Sequence, residues 1–439
     1  MKRRNVALAV SAVEPPAPVS WGGVFLDDAR ISALQDRVAA NPQDAAWLKV
    51  RAQADSAVAR SPQAPAVWEV PPFYEGADAH RAAKHALMDD ANQAYAAGIA
   101  YRVTGDQRYA EAAAKMIRAW SQIQEVRTTD DSGLTWSYHF PALIFAADLI
   151  DGYAGFTPAD RAAFATLLRG ESLSANTMDR DNNWGNWGTV LVMATAAYLE
   201  DEPLFARAAD RWKYLLEHQI AADGTLPLEA TRNDGTGSHG IWYTHFALQP
   251  QTIAAEIARV NGVDLFDYVS PSGRTLRQAY EVVAGWVVDP ASFPIWQGDP
   301  AGMTNVRTIE YMFGGALVRE STISYFEMLD ARWPVTGVEA VLAADRPLST
   351  LHTAPFLTFT HGPSPVAEPR VSAPATADVG GTVELTLSGF APKAQVQLRL
   401  DGSPAVIGIG RTDGAGAATI SASVAGVTRA TTEVEVRGR

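Results

Sequence analysis

Cysteine is absent from all 439 residues, which removes disulfides, thiolate metal sites and a cysteine nucleophile from consideration. No apolar run approaches the roughly 20 residues that a membrane-spanning helix needs, so no membrane partner is expected. An excess of basic charge is also missing. The net charge of −13 argues against general binding to nucleic acid or to an anionic membrane surface. A cleft for an anionic ligand would therefore have to supply its own cations. No two histidines have metal-ligand spacing with a nearby acid, and no glycine-rich phosphate loop follows a strand. Neither a metal nor a nucleotide cofactor is expected.

What is present is a 47% hydrophobic, 19% charged chain long enough for a large core and more than one domain. Residues 1–25 read as a lead-in. Met1-Lys2-Arg3-Arg4 and the short apolar stretch Val6 to Val13 have the outline of a signal peptide, so a secreted, periplasmic or cell-surface location is expected. From Asp27 the pattern is helical for some 300 residues. Leu87, Ala91, Tyr95 and Ile99 draw one apolar stripe in a helix over 78–103, which stops at Thr104-Gly105-Asp106. A second helix is expected over 107–124, antiparallel to the first. Thr157-Pro158-Ala159-Asp160 reads as a capped helix start, and Glu202-Pro203 opens another. Helical hairpins in this number, without repeat identity, point to a mainly α (α/α) toroid or incomplete barrel over 26–362.

Pro363, Pro365 and Pro369 mark a linker over 363–370. Beyond it, Val383–Leu387, Val396–Leu400 and Thr432–Val436 alternate with period two between Gly-rich turns. Residues 371–439 thus read as a small immunoglobulin-like β-sandwich. Phe390 is its only aromatic residue, so a spacer or stability module is the simpler reading than a sugar-binding one.

Two stretches have the composition of a ligand site. Asp181-Asn182-Asn183-Trp184-Gly185-Asn186-Trp187 puts three asparagines and two tryptophans in seven positions, poor material for a helix interior. Amide side chains and indole faces suit the wall of a polar ligand site, although any one asparagine is as readily a helix cap and the tryptophans as readily core. About fifty residues on, Arg232 precedes a Gly-rich loop, and His239 and Tyr243 stand four apart, on one face if a helix begins near residue 238. His245, followed by Phe246 and Leu248, reads as a buried histidine before it reads as a base. His80 and His85 read as surface residues. Tyr138 and His139, together with Tyr74 and the segment Trp296–Tyr311 that holds Arg307, are candidates for further walls of the cleft.

Arginine, histidine and tyrosine opposite a cluster of amides suit the removal of a proton beside a sugar carboxylate. The carboxylate must be neutralised, a base must take the proton, and an acid must protonate the departing glycosidic oxygen. Hydrolysis would need two carboxylates, for which Glu229 and Asp234 are the nearest pair. Non-catalytic binding of a polyuronate is the third alternative.

The order of Asn182-Asn183-Trp184-Gly185-Asn186-Trp187, then Asp223-Gly224-Thr225-Leu226-Pro227-Leu228-Glu229, Arg232 and Tyr243-Thr244-His245-Phe246-Ala247-Leu248 resembles the alginate lyase superfamily of α/α-toroid polysaccharide lyases. The resemblance covers roughly residues 60–330 and includes the hairpin from Ala79 to Asp106. It implies β-elimination on a 1,4-linked polyuronate, alginate or glucuronan, with that anionic polysaccharide as partner. It also implies that Asn183 neutralises the uronate carboxylate, that Tyr243 serves as base and acid, and that Arg232 is the catalytic arginine. The motif histidine of well-known bacterial members falls on Trp184. A divergent branch is therefore expected, in which His239 joins the catalytic residues and Asn182, Asn186, Trp184, Trp187, Tyr138, His139, His245 and Arg307 contribute to substrate binding.

Overall fold

Acidic caps and glycine stops set the first helices. Asp27 accepts from the Arg30 amide at the start of α1 (Asp28–Ala40), and Asp44 does the same for Ala46 in α2 (Ala45–Ala59). The computed structural model describes residues 19–72, 76–129, 131–232, 239–289, 292–294, 310–311, 315–316, 322–363, 370–372, 381–388, 395–400, 406–412, 417–423 and 434–438. A two-residue strand β1 (Val67–Trp68) precedes α3 (Ala77–Thr104), which ends at Gly105 with φ of 74°, a left-handed stop that favours glycine. Asp106 then caps α4 (Gln107–Trp120). This helix ends four residues before the expected limit, because the chain turns at Ser121 into β2 (Glu125–Val126), parallel to β1.

Next come α5 (Ser132–His139), α6 (Pro141–Leu149) and α7 (Pro158–Leu167), the last opened by a capping box between Thr157 and Asp160. A π-helical turn over Leu168–Ser172 extends it. The remaining long helices are α8 (Asn183–Leu199), α9 (Glu202–Gln219), α11 (His239–Val260) and α12 (Leu276–Val288), with the single turn α10 (Pro227–Ala230) before α11.

Two layers follow from the apolar patterns. Helices α6, α8 and α11 bury nearly every face and form the inner layer. Helix α9 buries only Phe205, Ala208, Ala209, Trp212, Leu215, Leu216 and Gln219, one stripe at helical spacing, and belongs with α4 and α12 to the outer layer. Successive packing runs from α2 and α3 through α6 and α8 to α11. Residues 347–362 close the ring: Arg37 on α1 donates to the Thr358 and Phe359 carbonyls at 2.9 and 3.0 Å, and Gln249 on α11 donates to Thr350 at 2.8 Å. Arg259, at the far end of α11, reaches Asp27 at 3.0 Å. The molecule is a helical toroid.

Two short strands, β3 (Glu310–Tyr311) and β4 (Gly315–Ala316), pair antiparallel. The C-terminal strands are β5 (Arg370–Ser372), β6 (Thr382–Ser388), β7 (Gln395–Leu400), β8 (Val406–Arg411), β9 (Ala418–Ser423) and β10 (Val434–Gly438). They form two antiparallel sheets, in the orders β5-β6-β9 and β10-β7-β8. Leu385, Leu387, Val396, Leu398, Ile420 and Ala422, drawn from both sheets, make an apolar core separate from that of the helices.

Candidate active site

Helix α8 begins where the asparagine-rich stretch lies, and each asparagine meets a different fate. Asn182 is the cap, accepting from the Trp184 amide at 3.1 Å. Asn183 is fully buried and donates to Glu229 three times: from its backbone amide to Oε1 at 2.8 Å, and from Nδ2 to Oε1 at 3.0 Å and Oε2 at 2.9 Å. Asn186 is also buried and donates to Gln219 at 2.8 Å and to the Ala247 carbonyl. Asn183, expected to neutralise a substrate carboxylate, is thus engaged inside the protein. Its amide nitrogen faces the protein's own carboxylate, and its Oδ1, an acceptor, has no partner among the described residues.

Glu229 is the hub between α8 and α11. Its side chain is 1% exposed, and burial raises its carboxyl above the ordinary glutamate range against the opposing Asn183 hydrogen bonds and the Arg232 charge. The Arg232 guanidinium lies 3.5 Å from Glu229 Oε2 and 4.7 Å over the Tyr243 ring. The start of α11 is brought in by Gly240, where an added Cβ would come within 2.2 Å of the Ala230 carbonyl oxygen. Only glycine allows the approach that sets half-buried Tyr243 beside Arg232. His239 is the first residue of α11, one turn before Tyr243, as its spacing requires. The His239 side chain lies outside the described residues, as do Asp234, Arg307, Tyr74 and Trp296.

Other residues expected at the surface of the site lie beneath it. Trp187 is fully buried against Tyr138, Phe246 and His352. Tyr138 is 7% exposed, and burial pushes its phenol well up. His245 is buried, shares a 2.9 Å hydrogen bond with the Tyr325 hydroxyl, and is pushed down to about 3 by burial. His139 is buried with neither ring nitrogen partnered among the described residues, and is held well below the ordinary histidine value by burial, with His352 adding to it. These rings support the cleft instead of lining it, because inner helices bury every face. His80, read as a surface residue, is also buried, with Nδ1 3.0 Å from the Pro71 carbonyl.

His352 has no counterpart among the sequence candidates. It is half-buried, with its ring 5.2 Å from that of Phe246, which in turn lies 6.5 Å from the Tyr243 ring. Thr353 pins this segment by donating twice to the Tyr138 carbonyl, from its backbone amide at 2.8 Å and its hydroxyl at 2.9 Å. Ala354 and Phe356 nearby adopt left-handed φ values of 63° and 67°, a strain that clusters at functional loops. The sequence signal for His352 was no more than a histidine in a Ser/Thr run between Pro347 and Pro355.

A ring of helical hairpins with arginine, tyrosine and a buried amide–carboxylate pair at one end defines an α/α-toroid protein with a polar cleft. The alginate lyase family model matches residues 34–293, more than half of the chain, and the chain belongs to the alginate lyase family. It is 33% identical over 130 residues to alginate lyases of Pseudomonas fluorescens and Cobetia marina, a stretch covering 30% of this chain and 33% of each relative. It is 34% identical over 118 residues to a polysaccharide lyase of Stenotrophomonas maltophilia, covering 27% and 33%. These matches span about a third of the length of those curated relatives. Among solved structures, an alginate lyase from Bacteroides ovatus superposes with TM-score 0.58 at 17% identity, covering 78% of this chain and all of that one. One from Sphingomonas species A1 gives 0.54 at 18%, covering 65% and 78%. An alginate lyase variant complexed with tetrasaccharide gives 0.61 at 18%, covering 76% and 94%. At this identity the likeness is one of fold.

Proposed function

We propose that the protein is a polysaccharide lyase that cleaves a 1,4-linked polyuronate, with alginate as the favoured substrate, by β-elimination. The carrying observation is the Arg232 guanidinium held 4.7 Å over the Tyr243 ring and anchored from behind by buried Glu229. Tyr243 takes the proton from C5, and Arg232 offsets the negative charge that spreads onto the sugar carboxylate. The C4–O4 bond breaks as a C4–C5 double bond forms, and the proton passes to the leaving O4, so no water is consumed. In mannuronate the C5 proton and O4 lie on one face, and Tyr243 alone serves. In guluronate they lie on opposite faces, and His239, one turn away, is the candidate for the second proton; glucuronate shares the C4 and C5 configuration of mannuronate and needs only Tyr243.

Family membership supports this reading, as does the state of Glu229. A buried carboxylate bound by Asn183 on both oxygens is unsuited to hydrolytic acid–base work. The basic and apolar start of the chain fits export toward such a polymer.

Incubation with polymannuronate, polyguluronate and glucuronan, followed by absorbance of the unsaturated product, tests the proposal. Absorbance should rise on polymannuronate, and Tyr243→Phe should lower kcat by roughly 10²–10⁴-fold. No rise on any polyuronate would overturn it.

A further inference from the structure

Two recesses adjoin the site, both lined by Asp179 and Arg180. One, of about 740 Å³, extends past Asn182, Leu228 and Thr231 to Arg232. The other, of about 580 Å³, runs along Asn176, Thr177 and Trp184. Together they form a polar trough leading outward from the proposed catalytic arginine.

Charge in this trough is unevenly committed. Asp181 is paired with Arg211 at 2.8 Å. Arg180 is exposed, and its guanidinium has no hydrogen-bond or carboxylate partner among the described residues; it rests 5.7 Å over the Trp184 ring. A cation parked on an aromatic face keeps its fork of N–H donors available for a planar anion. Asp179 faces both recesses as well, and with Asn176, Thr177 and Asn182 it offers acceptors and donors for sugar hydroxyls.

The loop that carries Arg180 is pre-set rather than loose. Thr177 Oγ1 donates to the Trp184 carbonyl at 2.7 Å, and Arg211 Nε donates to the Met178 carbonyl at 2.7 Å. Gly185 and Gly188 let α8 press against it, since an added Cβ would lie 1.7 Å from the Arg180 carbonyl oxygen or 2.2 Å from the Met178 nitrogen. Leu228, 57% exposed, adds apolar surface of the kind a pyranose ring covers.

We propose that this trough is an additional uronate subsite, in which Arg180 binds the carboxylate of a sugar unit outside the cleaved linkage and Trp184 supplies the apolar wall for its ring. The identity of the polymer rests on the lyase reading above. Trp184, under the Arg180 guanidinium, lengthens the binding track outward from Arg232.

The test is calorimetric titration with mannuronate tri- and heptasaccharides in a Tyr243→Phe background, which blocks cleavage, with Arg180 present or replaced by Gln. Heptasaccharide affinity should fall about tenfold in Arg180→Gln, the scale of one charge-assisted contact, and trisaccharide affinity should fall less. Arg180→Lys should recover part of the loss. Equal heptasaccharide affinity with and without Arg180 overturns the subsite. If the wild-type protein releases no unsaturated product while heptasaccharide binding still depends on Arg180, the lyase reading fails and the subsite stands. Cleavage of polymannuronate together with binding that ignores Arg180 upholds the lyase reading and overturns the subsite.

Discussion

Glu229 joins the two halves of the site, and its environment gives it a measurable signature. Burial raises its carboxyl, so it gains its negative charge at a higher pH than an ordinary glutamate. Ionised, it holds the Asn183 amide and the Arg232 guanidinium. Activity should therefore show an acid limb above the usual glutamate range, and Glu229→Gln should lose that limb. The same variant should lower kcat by roughly tenfold or more with a smaller change in KM, and cost about 1–3 kcal/mol of stability for the broken buried network. An unchanged pH profile in Glu229→Gln would remove its positioning role. Arg232 and Tyr243 as members of one site came from the family resemblance, and the sequence left open which asparagine caps α8; the structure gives that place to Asn182. The inward turn of Asn183 was not legible, because nothing local says that a glutamate forty-six residues away will claim its amide. Trp184 and Trp187 looked equivalent in the sequence; only packing separates the half-buried one at the recess from the one sealed under Tyr138 and Phe246.

Among elements, the start of α8 carries the most demanding fit. Gly185 and Gly188 lie one turn apart on the side of the helix that meets the 177–182 loop. At Gly185 the obstruction is backbone, the Arg180 carbonyl, and a flexible side chain cannot swing away to relieve it. Gly185→Ala should therefore displace the loop, loosen the Asn182 cap and destabilise the protein by about 1–3 kcal/mol, the usual scale of overpacking. Gly285→Ala, where an added Cβ meets nothing within 4 Å, is the matched control. Equal melting temperatures for the two variants would contradict the close-approach argument. The sequence read residues 181–187 as poor helix material, whereas residues 183–187 form the first turns of α8 behind the Asn182 cap. It placed both ends of α3 and the starts of α7 and α9 within a residue or two, since caps, Pro and Gly act locally. It overran α4, because the turn at Ser121 is drawn by strand pairing with residues 67–68, a contact across the chain.

The whole molecule buries more imidazole than it can protonate. His139, His245, His352 and His361 are all held below the ordinary histidine value by burial, His245 and His352 to about 3. The folded state then binds fewer protons than the unfolded chain below pH 6.5, so stability present above that pH is lost as pH falls. For His245 alone the loss at pH 5 is about 2 kcal/mol. Asp148, raised to about 6 by burial, works the other way, since its proton contributes stability at low pH. Asp148 and Glu229, both raised, against four imidazoles still leave a net decline, so the melting temperature should drop clearly between pH 7 and pH 5. An equal or higher melting temperature at pH 5 would refute this.

By itself the sequence determined the helical hairpins, the strand-rich end, the acidic charge that obliges the cleft to bring its own arginines, and the motif order that marks the family. These are legible because periodicity, capping and composition are properties of neighbours along the chain. Tertiary structure alone decided which polar residues are exposed at the recesses and which are buried beneath them. It turned Asn183 toward Glu229, sank Asn186, Trp187 and His245 into the inner layer, brought His352 in from the segment that closes the ring, and left Arg180 poised on Trp184. Direction of a side chain depends on what packs behind it, and in a toroid that neighbour comes from a distant helix.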